Sequence, residues 1–130
     1  MEGFNTMKIL VCGGRNYSDE HSVYNFLDEI HKSRKVSLVI HGGATGADTF
    51  AGKWAKNLGI PTKVFLPDWN KFYKAAGPIR NKEMLSIGKP DLVVAFPGKV
   101  GSQNMRDQTI KAGVELVVFQ QESEDEGDLK

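Results

Sequence analysis

The chain has a single cysteine, Cys12, among its 130 residues, so no disulfide can form within it and its core must be held by packing alone. Cys12 closes the apolar run Ile9-Leu10-Val11 and reads as a buried, inert thiol, because a nucleophilic cysteine needs an activating partner that the sequence does not place nearby. Histidine is scarce as well, at three residues. His21 and His31 fall on the surface of the first helical pattern, and His41, at a strand end, reads as a structural imidazole. No spacing of His, Cys and acids resembles a metal site, and neither a metal nor a cofactor is expected. No apolar run approaches the roughly 20 residues of a membrane span. The first six residues also lack the basic and apolar regions of a signal peptide, which makes a cytoplasmic location the expectation.

Net charge is also small, at +1, but it is unevenly spread. Residues 122–130 hold five acids and one base, which leaves sixteen bases against eleven acids in the remainder. The acidic tail has almost no core-forming content and is expected to be disordered. The mildly basic body suits a phosphorylated small molecule and lacks the dense positive patch of a duplex-DNA binder. The resulting plan is an N-terminal extension over 1–7, one domain over 8–121 and a tail over 122–130, the length leaving no room for a second domain.

Five strands are expected, at 8–12, 36–41, 62–66, 91–96 and 114–120, each apolar on both alternating faces as in a parallel sheet covered on both sides. Helical patterns lie between them. Val23, Phe26, Leu27 and Ile30 recur at helical spacing behind a cap at Ser18 or Asp19. Phe50, Ala51, Trp54, Ala55 and Leu58 form a second stripe, closed by Gly59 and Pro61. A third helix is expected over about 78–87, with Gly88 at its end, and a fourth over about 102–112, stopping at Gly113. Alternating strands and helices with right-handed crossovers give an α/β fold: a single Rossmann-like, three-layer domain with a five-stranded, mainly parallel sheet in the order 3-2-1-4-5.

Glycine-rich turns follow three of these strands: Gly13-Gly14-Arg15, Gly42-Gly43-Ala44-Thr45-Gly46, and Pro97-Gly98-Lys99-Val100-Gly101-Ser102. Each precedes a helix, so backbone N–H groups and helix dipoles can converge on a phosphate. In the order 3-2-1-4-5 the Gly13 and Gly98 turns face each other across the crevice where the order reverses, with the Gly42 turn beside them. The long connection from Pro67 to Gly77, with Asp68, Trp69, Phe72 and Tyr73, could fold over that crevice as a lid.

The co-linear set Gly13-Gly14-Arg15-Asn16-Tyr17, His41-Gly42-Gly43-Ala44-Thr45-Gly46-Ala47-Asp48, Asp68-Trp69, Ala76-Gly77-Pro78-Ile79-Arg80-Asn81-Lys82-Glu83-Met84 and Phe96-Pro97-Gly98-Lys99-Val100-Gly101-Ser102 resembles the YspA-like, cpYpsA-related branch of the SLOG superfamily over about residues 8–119. The resemblance implies a Rossmann-type domain that binds nucleotides or nucleotide-derived signals, with some relatives cleaving an N-glycosidic bond. It also implies frequent occurrence in phages and mobile elements, and a homodimer or higher homo-oligomer. LOG-type phosphoribohydrolases carry Arg-x-x-x-Met and Pro-Gly-Gly-x-Gly-Thr-x-x-Glu. Arg80 and Met84 fit the first pattern. Gly98, Gly101 and Ser102 fit most of the second, with Lys99 in place of its second glycine and Met105 where the glutamate stands. A thioether cannot exchange a proton as a carboxylate does.

The ligand-binding candidates are therefore Gly13, Gly14, Arg15, Gly42, Gly43, Asp48, Asp68, Trp69, Arg80, Asn81, Gly98, Gly101 and Ser102. Arg80 is placed in the first turn of its helix, where a cation opposes the dipole unless an anion compensates. Asp48 reads either as a helix cap or as a ribose-binding acid. Asp68 and Trp69 belong either to lid packing or to the ligand, and Asn81 either to the ligand or to a neighbouring loop. Ser102 is expected to cap the fourth helix, and Lys99 either adds charge at the rim or is solvated. The expected function is binding of a nucleotide-derived small molecule, with no membrane and no nucleic-acid partner. The alternative is a nucleotide N-glycosidase or phosphoribohydrolase-like hydrolase using Asp48 or Asp68, and a third reading is single-stranded nucleic-acid binding.

Overall fold

A computed structural model describes residues 6–120. The acidic tail and residues 1–5 of the expected N-terminal extension lie outside the described residues. Strands β1 (Thr6–Cys12), β2 (Lys35–His41), β3 (Thr62–Val64), β4 (Leu92–Ala95) and β5 (Glu115–Val118) form one sheet. Its order is β3-β2-β1-β4-β5 and every pairing is parallel. The first strand begins two residues before the expected domain start, because Met7 is a core side chain and pairs with Val36.

The alternation of β1 explains the three layers. Ile9 and Val11 point into one cluster with Val23, Leu27, Ala51 and Trp54. Leu10 and Cys12 point into another with Ile40, Met84, Val93 and Met105. Side chains that alternate across a strand thus pack both faces, and helices must cover both. Helices α1 (Glu20–Ser33) and α2 (Ala47–Asn57) cover the first face, while α4 (Ala76–Ser86) and α5 (Val100–Ala112) cover the second. Trp54 Nε1 donates to Asp28 Oδ1 at 2.8 Å and ties α2 to α1.

Helix boundaries follow their local chemistry. Asp19 is the cap of α1, accepting from the Ser22 backbone N–H at 3.1 Å. Gly59 and Gly113, at φ 72° and 75°, supply the left-handed residues after α2 and α5. At the end of α4 the positive φ belongs to Lys89 (51°) rather than to Gly88.

The connection after β3 is not an open loop. It contains helix α3 (Trp69–Phe72), capped by Asp68 accepting from Lys71 N at 3.1 Å, and a 3₁₀ turn over Tyr73–Ala75 that runs directly into α4. That turn starts α4 at Ala76, two residues earlier than the proline signal indicates. Tyr73 takes a positive φ of 52° at the junction, a conformation that costs a non-glycine residue about 1 kcal/mol or more.

Candidate functional site

The turns after β1, β2 and β4 meet at the carboxyl edge of the sheet, and their glycines are the means of contact. A Cβ on Gly13 would collide with the Cβ atoms of Ala47 and Phe96. One on Gly46, which has φ 80°, would strike the carbonyl oxygens of Gly14 and Arg15, and one on Gly98 would overlap Ser102 Oγ. Gly14 N donates to Pro97 O at 2.7 Å, and Thr45 Oγ1 donates to Arg15 O at 2.9 Å. The turns of β1 and β4 therefore do not splay apart as the strand reversal predicts. With no side chains to separate them they close on each other, forming a tight knot at the amino ends of α2 and α5.

Those two helix starts have a common property. The cap positions of α2 and α5 are Gly46 and Lys99, and neither makes a side-chain cap hydrogen bond; nor does Ala75 at the start of α4. By contrast α1, which begins several residues beyond the Gly13 turn rather than at it, and α3, which follows no glycine turn, are capped by Asp19 and Asp68. First-turn N–H groups lack an intrahelical partner and carry the positive end of the dipole. Ser102, expected as the cap of α5, lies third in that helix. It is buried, with its hydroxyl packed on Gly98. Gly101 stands in open space in the same turn. The Arg15 side chain is exposed at the rim, and Lys99 is exposed with it.

The second half of the rim is built around Asp48 and Arg80. Asp48 is buried at the second position of α2, and its Oδ2 accepts from Gly42 N at 2.9 Å and Ala44 N at 3.2 Å. It does not cap α2; it pins the preceding turn. Burial raises its pKa to about 6, although the two backbone donors and the nearby Arg80 cation pull in the opposite direction. His41, also buried, accepts from Gly43 N at 3.0 Å through Nδ1, which fixes the neutral tautomer with its proton on Nε2. Desolvation and the Arg80 charge hold its pKa below the ordinary value. Cys12 is buried and its thiol is pushed up to about 12, mainly by desolvation.

Arg80 sits in the second turn of α4, not the first, because the helix begins at Ala76. The dipole argument for an anion at this position consequently loses most of its force. Its donors are directed instead at the protein: Nη1 to Gly42 O at 2.7 Å and Phe65 O at 3.3 Å, and Nε to Asn81 Oδ1 at 2.9 Å. The guanidinium packs so closely on Gly42 that a Cβ there would overlap it. Asn81 is buried and donates through Nδ2 to Asn104 Oδ1 at 3.0 Å. Gln108 continues the network, donating to Asn104 Oδ1 at 2.8 Å and Pro78 O at 3.0 Å. Asn104 and Gln108 escaped the sequence reading. Their spacing of four marks a polar stripe on α5, but only the tertiary packing reveals that it faces α4.

Asp68 and Trp69 lie apart from the knot. Asp68 caps α3, and the exposed Trp69 has its ring edge beside Gly77. Asp68 also borders a pocket of about 300 Å³ that Arg80 lines as well. Met105, at the position of the LOG-type glutamate, is buried in the core with Met84. Among the described residues no cluster of three metal-ligating side chains occurs, and no helix is long and apolar enough to cross a membrane.

A parallel sheet ordered 3-2-1-4-5, with glycine turns and helix starts gathered at its carboxyl edge, defines a Rossmann-like α/β domain. Residues 7–72 match the YspA, cpYpsA-related SLOG family. The chain is also 34% identical over 120 residues to the Gene 61 protein of Mycobacterium phage D29, covering 86% of this chain and 95% of that protein. The chain belongs to the YspA, cpYpsA-related SLOG family. The family match contains the first two glycine turns and Asp68-Trp69; Arg80 and the Gly98 turn lie beyond it.

Proposed function

We propose that the protein binds a nucleotide-derived ligand, with the ligand's phosphate at the starts of α2 and α5. The observation that carries this reading is the distribution of caps. The helices that start at the glycine knot, α2 and α5, have no side-chain acceptor at their amino ends, whereas α1 and α3 have one; α4, also without a side-chain cap, runs on directly from the 3₁₀ turn before it. A phosphate supplies the missing acceptor. Arg15, exposed at the rim, adds a cation. Arg80 supports the site from behind by holding the Gly42 turn, and Asp48 holds the same turn from α2.

Binding without turnover is the favoured form of this reading. The LOG-type acid is replaced by a core methionine, and the Asp48 oxygen that faces the turn is already occupied by two backbone donors. Asp48, with a pKa raised to about 6, is the one carboxyl group in the rim suited to proton transfer, and it is the residue on which hydrolysis would depend. Calorimetry against mono-, di-, cyclic and ADP-ribose-type nucleotides, paired with chromatography for released base, tests both. The reading predicts saturable binding with negligible base release. Absence of binding across the panel contradicts it, and multiple turnover abolished by Asp48→Asn replaces it with the hydrolase.

A further inference from the structure

The pocket between α3 and α4 is contiguous with the rim but is not used by the phosphate. Arg80 belongs to both spaces: its Nη1 is fixed on Gly42 O and Phe65 O, and the same side chain walls the pocket. Leu66, another lining residue, lies so close to Gly43 that a Cβ on that glycine would collide with its Cδ2. A ligand anchored at the glycine turns thus has an adjoining cavity of about 300 Å³, the lower end of the usual range of about 300–1,000 Å³ for small-molecule pockets.

The lining is unusual in composition. Leu66, Phe72 and Ile79 provide apolar walls, with Leu66 left 70% exposed. Between them stand two carboxylates, Asp68 and Glu83, and two cations, Lys71 and Arg80. Among the described residues, none of these four side chains is joined to another of them by an ion pair within 4.0 Å. Asp68 spends one oxygen on the Lys71 backbone N–H. Glu83 is one turn along α4 from Arg80, so a carboxylate and a guanidinium occupy neighbouring positions on the pocket side of one helix.

We propose that this pocket is a nucleobase subsite selective for guanine-type bases, a reading that rests on the nucleotide-binding function proposed above. An ionised carboxylate can only accept hydrogen bonds, and a guanidinium or ammonium can only donate. Guanine is the base that offers both complements on separate edges: two neighbouring N–H donors at N1 and N2, and two neighbouring acceptors at O6 and N7. Glu83 takes the donor edge, while Lys71 and Nη2 of Arg80, the guanidinium nitrogen not bonded to Gly42, Phe65 or Asn81, meet the acceptor edge. Adenine alternates donor and acceptor along its pairing edge, so one of its lone pairs would be set against the carboxylate. A site built around such polar partners discriminates strongly, because the wrong base leaves them unpaired.

The test is calorimetric titration of the full chain with GMP, AMP and ribose 5-phosphate, repeated with Glu83→Gln. Glu83 is exposed and accepts no side-chain bond that the fold uses, so the variant should melt as the parent does. GMP is expected to bind at least tenfold more tightly than AMP, with ribose 5-phosphate weaker than either. Glu83→Gln is expected to reduce the GMP preference about tenfold without altering ribose 5-phosphate affinity. Equal affinity for GMP and AMP, or a preference untouched by Glu83→Gln, overturns the base subsite while leaving phosphate binding in place. If ribose 5-phosphate, GMP and AMP all fail to bind, the base subsite falls, and the nucleotide reading falls with it when the di-, cyclic and ADP-ribose-type ligands fail as well.

Discussion

At the scale of single residues, burial lifts the Asp48 carboxyl well above the ordinary carboxylate range, a smaller displacement than that of the Cys12 thiol but one that falls within the pH range of ordinary measurements. The folded Asp48 pKa of about 6 lies above the ordinary 3.8, so between those values the folded chain binds more proton than the unfolded chain. The contribution of Asp48 to stability is therefore fully present below about pH 4 and is lost as pH rises through about 6. A shift of about two units corresponds to about 3 kcal/mol at most. His41 acts in the opposite sense over an overlapping range, because its depressed pKa removes stability as pH falls below its ordinary value of 6.5. Asp48→Asn separates the two. Both backbone donors go to one oxygen, Oδ2, so an amide oxygen in the same place keeps both bonds while removing the charge that faces Cys12 and Arg80. Urea unfolding of the parent and the variant across pH 4–7 is expected to show the parent losing stability relative to Asp48→Asn as pH rises. Parallel pH profiles would show that the carboxyl group is not perturbed in this way.

At the scale of elements, Arg80 joins three of them: the turn after β2, the end of β3 and helix α4. Arg80→Ala would leave the Gly42 and Phe65 carbonyls and the Asn81 amide oxygen without this donor. It should lower unfolding stability by about 2–3 kcal/mol, the scale of bonds to a charged group. Arg80→Lys should recover less than half, because a single ammonium cannot reach three acceptors held in the plane of a guanidinium. Unchanged stability in Arg80→Ala would mean that these bonds do not hold the turn. Most elements were legible in the sequence. Apolar runs marked the strands, Asp19 and Gly113 marked helix ends, and the Arg80-Asn81 motif was named as a ligand-binding candidate. Its role was harder to see. A helix start depends on where the preceding chain becomes helical, and Asp68 followed by a 3₁₀ turn carries α4 back to Ala76, moving Arg80 out of the first turn. Ser102 was misplaced for the same reason, since α5 begins at Val100 and puts it inside the helix rather than at its cap.

At the scale of the whole molecule, the layered α/β plan followed from right-handed crossovers and apolar strands, rules that do not depend on individual contacts, and the order expected for that plan is the one observed. What those rules do not reveal is whether loops above a strand reversal stand apart or touch. Here they touch, because Gly13, Gly14 and Gly98 present no side chains and Gly14 N reaches Pro97 O. The proposed phosphate capping rests on two helix starts, those of α2 and α5, that this closure leaves without a side-chain cap. It is tested most directly by following backbone amide resonances of the ¹⁵N-labelled protein during titration with ribose 5-phosphate. Phosphate capping predicts saturable downfield proton shifts concentrated at Ala47, Asp48 and Thr49 of α2 and at Val100, Gly101 and Ser102 of α5. Shifts confined to other parts of the chain, with both helix starts unperturbed at saturating ligand, would contradict it.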